Sequence, residues 1–116
     1  MMRMSALLFA LLFYTSAPSH IALAADAAPA VLTVQNKHFD PQQLTLPGGV
    51  KIKLVIRNLD DLPAEFESYD LSREILIPAH GETTLYIGPL DPGNYLFFND
   101  FNRDMQGTIV ARPTAN

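Results

Sequence analysis

Glu65 and Glu67 stand two residues apart in the run AEFES, Ala64 to Ser68. In an extended strand, residues two apart project from the same face, so the two carboxylates share a face while Phe66 points the other way. That spacing suits a hard or borderline cation: Fe3+, Fe2+, Mn2+ or Cu2+. It equally describes a solvated strand face, and these residues alone leave both readings open. Asp100 ends the apolar run GNYLFFND, where an aspartate often caps a turn through its own side chain. Met105 offers a thioether, a soft ligand that favours Cu(I), or a flexible filler packed under a loop. Glu74 and Asp104 are lesser candidates. Arg73 or Arg103 could neutralise acidic charge in place of a metal.

The charge distribution draws attention to the same region. Half of the twelve acidic residues (Asp60, Asp61, Glu65, Glu67, Asp70 and Glu74) fall in a stretch whose only cation is Arg73. The net charge is −4 and no basic patch occurs, which argues against nucleic acid and anionic membrane surfaces as partners. His38, in NKHFDP, and His80, in PAHGE, occupy turn-like contexts and read as exposed turn residues. No Ser-His-Asp ordering, phosphate-cradling glycine loop or His-x-x-x-His pair is present, so a hydrolase is not expected. There is no cysteine, so no disulfide supports the fold.

The elements that must position these residues are short strands. Lys51 to Asn58 alternates, with Ile52, Leu54 and Ile56 on one face and Lys51, Lys53 and Arg57 on the other, Val55 among them. Leu46-Pro47-Gly48-Gly49 predicts a type II turn with Gly48 at the position needing positive φ, and Asp91-Pro92-Gly93-Asn94 repeats the device. In Gly93 to Asp100 both faces are apolar, which predicts a central strand covered on both sides. Further strands are expected at Val31–Val34, Gln43–Leu46, Ala64–Ser68, Arg73–Ile77, Glu82–Ile87 and Gly107–Arg112. Tyr69–Ser72 and Phe101–Met105 read as single helical turns at most. The sum is an all-β sandwich of about eight short strands.

The N-terminus reads as a leader. Arg3 supplies a positive start, Ala6 to Tyr14 is an apolar run, and Ala22-Leu23-Ala24 places small residues where a signal peptidase cleaves. The run is shorter than the roughly 20 residues needed to span a bilayer. The expected division is a signal peptide over 1–24, a loose lead-in over 25–30, and one domain over 31–113. Such a leader implies the general secretory route, a periplasmic mature chain, and no membrane insertion of that chain.

Two blocks carry a family resemblance: RNLDDLPAEFES, Arg57 to Ser68, and LDPGNYLFFNDFNRDMQGTIVAR, Leu90 to Arg112. Together they resemble the two metal-loop regions of a cupredoxin, which implies a Greek-key β-sandwich. In blue-copper members the first region ends in Pro-His, and the second carries Cys, His and Met before a glycine and a β-branched run. Here Ala64 follows Pro63, Asn99 or its neighbour stands near the cysteine position, Asn102 stands near the second histidine, and Met105 before Gly107 matches the axial methionine. A type 1 centre needs a thiolate and imidazoles, so none forms here. The pattern AEFES-x2-L-x2-E, with PL-x-PG-x-Y-x-FF-x-D-F and a final G-x-IV, is similar to EfeO-type cupredoxin-like domains. That resemblance implies a metal site that Asp100 joins from the same end of the sandwich as Glu65 and Glu67, with Met105 a further ligand, taking a copper or iron ion. It also implies help in oxidising or handing on iron or copper at an oxidase-dependent inner-membrane iron permease, beside a periplasmic iron-binding protein. The competing expectation is a metal-free module that kept the sandwich and docks to such a partner.

Overall fold

A computed structural model of the chain describes residues 28–114, together with Leu12 and Ser16. The expected leader, those two positions apart, and residues 25–27 lie outside the described residues. Nine strands follow in order: β1 (Ala30–Gln35), β2 (His38–Asp40), β3 (Gln43–Pro47), β4 (Ile52–Asn58), β5 (Ala64–Ser68), β6 (Arg73–Ile77), β7 (Glu82–Ile87), β8 (Gly93–Asn99) and β9 (Asn102–Arg112). They form two mixed sheets, ordered β2-β1-β4-β7 and β3-β9-β8-β5-β6. The parallel pairs are β1 with β4 and β3 with β9; the other pairs are antiparallel. No helix occurs among the described residues, and none of them forms a span long and apolar enough to cross a membrane.

The alternation read in β4 holds: Ile52, Leu54 and Ile56 are buried, as is Val55, while Lys53 and Arg57 are exposed. The core lies between the sheets and centres on Phe97. Phe39 meets its ring edge-on and Phe66 stacks on it, both with centroids 5.0 Å away. Each such aromatic pair contributes about 0.5–1.5 kcal/mol beyond the area it buries. At one side of the sandwich β6 and β7 are tied across the sheets. Thr83 Oγ1 donates to the Leu76 carbonyl at 2.9 Å, and Arg73 donates to the Tyr86 carbonyl.

Several local expectations are corrected. Phe101–Met105 holds no helical turn, since β9 already begins at Asn102. Tyr69–Ser72 is a turn with Ser72 at φ 53°, not helix. The left-handed glycine after β3 is Gly49, at φ 76°, one residue later than expected because β3 runs on through Pro47. Gly93 has φ 158°, far from the value near +80° that a type II turn requires, and it already starts β8. β8 is central in its sheet, but its outer face is only partly covered: Leu96 is 46 % exposed, whereas Phe98 lies under Tyr69 and Arg103. His38 lies in β2, a strand not expected from the sequence, and is exposed there.

Candidate metal centre

β5 alternates as expected, with Ala64, Phe66 and Ser68 buried and Glu65 and Glu67 half-buried on the outer face of the five-stranded sheet. β8 pairs with β5 through Glu67 opposite Phe98, so Asp100, two residues beyond Phe98, comes round to the same place. Glu65, Glu67 and Asp100 each present a carboxylate oxygen, and these oxygens all lie within 4.8 Å of one another. Two metal–oxygen bonds of about 2.0–2.6 Å span up to about 5 Å, so one ion can bridge the three.

The electrostatics of the cluster are strained. Burial first, then the Glu74 carboxyl through charge and a shared hydrogen bond, and then the Asp100 and Glu67 charges raise the Glu65 pKa above its ordinary 4.5. Burial, Asp100 and Glu74 also raise that of Glu67, with Arg103 opposing them. Glu67 Oε2 is buried and has no hydrogen-bond partner among the described residues. Carboxylates gathered in this way repel until a proton or a cation compensates. Part of that compensation is internal. Arg103 donates to Asp100 Oδ1 from Nη2 at 2.8 Å and from Nε at 3.2 Å, and its guanidinium lies 5.4 Å from the centre of the Phe98 ring.

Met105 is placed apart from these carboxylates. It is buried in the core, and its sulfur accepts a hydrogen bond from Asn99 Nδ2 at 3.4 Å. Glu74, a lesser candidate by sequence, stands directly across from Glu67 in the β5–β6 ladder and perturbs both cluster glutamates. Asp104 is exposed on β9 and outside the group. The acidic run 60–74 divides by role. Asp60 accepts the Asn36 and Lys37 N–H groups at 2.7 and 2.9 Å, and Asp70 accepts the Leu96 N–H at 2.9 Å, so both serve structure. His80, read as an exposed turn residue, is one, and its Nε2 shares a hydrogen bond with Asp61 Oδ1 at 2.6 Å.

A second feature lies at the same end of the sandwich. Ala64, Asn99, Asn102 and Met105 line one cleft of about 680 Å3, together with Leu62, Pro63 and Phe101 among others. These are the positions matched above to copper ligands, and the fold does gather them.

The chain belongs to the cupredoxin-like domain family, whose profile matches residues 4–111. It is 40% identical over 81 residues to an uncharacterized protein of Rickettsia prowazekii (strain Madrid E), an alignment covering 69% of this chain and 65% of that protein's length. Among solved structures it is similar to a reduced amicyanin variant, with TM-score 0.61 and 14% identity over 73% of this chain and 83% of that one. It is also similar to amicyanin from Paracoccus versutus, with TM-score 0.59 and 12% identity over 74% and 83%. A copper(I) amicyanin variant gives 0.60 and 12% over 72% and 82%. At these identities the structural likeness establishes the fold alone.

The residues in the cleft do not fit a type 1 copper ion. With no cysteine in the chain there is no thiolate. Among the described residues no imidazole lines the cleft, and the Asn99 amide oxygen already accepts two backbone N–H groups while its nitrogen donates to Met105 Sδ. A donor set of two amides and a thioether lacks the soft anionic ligand that defines such a centre.

Proposed function

We propose that this chain is an exported metal-binding accessory protein of the EfeO-type cupredoxin-like branch, taking a hard cation on Glu65, Glu67 and Asp100. The observation that carries this reading is the convergence of three carboxylate oxygens within 4.8 Å, one of the three residues keeping a buried oxygen unpartnered. A cation relieves the mutual repulsion and supplies the missing partner together. Iron is the cargo we assign, handed on to an oxidase-dependent inner-membrane permease beside a periplasmic iron-binding protein. The N-terminal leader and the EfeO-like sequence pattern support that setting. Assistance in oxidising Fe2+ is the finer part of the reading. It predicts that the protein supplied with Cu2+ speeds Fe2+ oxidation beyond the same copper free in solution, and equal rates would remove it.

Titration of the leader-free chain with Cu2+ and Fe3+ by calorimetry, beside Glu65→Gln/Glu67→Gln, tests the site. One-to-one binding lost in the variant is the expected outcome. Equal behaviour of the two proteins would favour a second reading, in which Arg103 is the permanent counter-ion and the chain is a metal-free docking module. The observations favouring that reading are the existing Arg103–Asp100 ion pair and the exposed Leu62 and Phe101 at the cleft.

A further inference from the structure

Asn99 is only 4% exposed, at the break in register between β8 and β9. An amide oxygen has two lone pairs, and the amide nitrogen has two protons. Asn99 Oδ1 accepts the backbone N–H of Glu65 at 2.9 Å and that of Phe101 at 3.2 Å, while Nδ2 donates to Met105 Sδ at 3.4 Å. One buried side chain therefore holds the start of β5, which carries Glu65 and Glu67, and the turn, which carries Asp100. Asp100 is bracketed by Asn99 itself and by the anchored Phe101.

The strand pairing around the centre makes this hold consequential. β5 and β8 share a single registered pair, Glu67 with Phe98. On one side of that pair, side chains stand in for the ladder. Ser68 Oγ donates to the Leu96 carbonyl at 2.7 Å, and Asp70 accepts the Leu96 N–H at 2.9 Å. On the other side the equivalent connection is Asn99 to Glu65. There the Asn99 amide bridges β5 and the β8–β9 turn, the segments that carry Glu65 and Asp100.

We infer that Asn99 is the positioning residue of the carboxylate centre: from inside the sandwich it fixes the separation of ligands that face outward. Asn99, which with its neighbour resembles the cysteine position of blue-copper members, here serves as a strut for a cluster on the outer face of the sheet. The inference rests on the reading of Glu65, Glu67 and Asp100 as a cation site. It goes beyond that reading by assigning the geometry of the site to a residue that touches no cation.

The test compares wild type, Asn99→Ala, Asn99→Asp and Leu85→Ala in the full chain, with Cu2+ as the probe. Aspartate keeps an acceptor for the two N–H groups, loses the donor to sulfur and adds a carboxyl beside the cluster. Leu85 is buried in the other sheet on β7, so its truncation lowers stability without touching the centre. Outer partners that orient ligands typically govern about 10–100-fold in metal affinity. Asn99→Ala should lose affinity on that scale and alter the paramagnetic resonance spectrum of bound Cu2+. Asn99→Asp should bind within a few-fold of wild type, and Leu85→Ala should bind as wild type despite its lower stability. If Asn99→Ala does not fold, Asn99→Ser, whose shorter hydroxyl cannot hold both N–H groups, carries the same expectation. Equal affinity and equal spectra in the folded Asn99 variants would overturn the inference and leave the metal reading standing. Absence of Cu2+ binding by wild type would overturn the metal reading, and with it the role assigned to the strut.

Discussion

Glu67 is where the competing demands on this sheet meet. Its neighbours Phe66 and Ser68 are buried, so the backbone has no freedom to turn the carboxylate elsewhere. Opposite it stand Phe98 on one side and Glu74 on the other, and one of its oxygens is buried without a partner. The folded-state pKa values of Glu65 and Glu67 are both raised. The folded state therefore binds more protons than the unfolded state between the ordinary value of 4.5 and the raised ones. Their contribution to stability is fully present below the unfolded value and is lost as pH rises through the folded values. Denaturant unfolding of metal-free protein should thus show stability from these groups increasing as pH falls from neutral toward the ordinary value of 4.5. In Glu65→Gln/Glu67→Gln that slope should flatten, with stability at neutral pH at or above wild type. Metal affinity should run the other way, weakening as the pH falls, because a cation and protons compete for the same oxygens. Calorimetric titrations at two pH values would read that opposition directly.

The strands differ in how plainly the sequence announces them. β5, β6 and β7 were expected with the ends they have, because each is a short alternating run between clear turns. β2 is three residues long and carries one buried side chain, Phe39, so no period can develop in it. Phe101–Met105 reads as one helical turn at most, with Asn102 and Asp104 both turn-favouring residues. From Asn102 on it is strand because β8 folds back beside it, a pairing that local composition does not encode. The site divides the same way. Glu65 and Glu67 follow from a period of two, whereas the placement of Asp100 came only through family resemblance, and the nearness of Glu74 and Arg103 depends on cross-strand register. Gly107 in β9 shows how tightly that register is held. A Cβ there would drive into the Phe97 ring and lie 2.8 Å from the Gln42 carbonyl, which is itself fixed by the Thr108 N–H at 2.8 Å. Gly107→Ala should cost about 1–3 kcal/mol, as overpacking does, measured by urea unfolding. A value within about 0.5 kcal/mol of wild type, typical of tolerant surface positions, would mean that the aromatic centre of the core repacks easily.

At the scale of the molecule, the cleft of the cupredoxin frame and the carboxylate cluster are two separate features. The cleft still collects Ala64, Asn99, Asn102 and Met105, while the carboxylates gather on the outside of the adjoining sheet. Restoring ligands by Ala64→His, Asn99→Cys and Asn102→His together should give a copper-binding protein with an intense visible thiolate-to-copper band. The same variant should lose the carboxylate centre if Asn99 holds it. A colourless product that is folded and copper-loaded would show that the loops have drifted from the geometry of the family. The parallel pairing of β3 with β9 has a further consequence, in time. Among the described residues, 43–47 take their only ladder partner from residues 108–112. A chain that emerges from a ribosome or a pore with its N-terminus first must therefore carry β3 unpaired until almost everything else has followed. Contacts this distant along the chain close late and slowly, in about milliseconds to seconds for all-β domains. The second sheet, and the outer face that bears the carboxylates, can be completed only after the last strand has arrived.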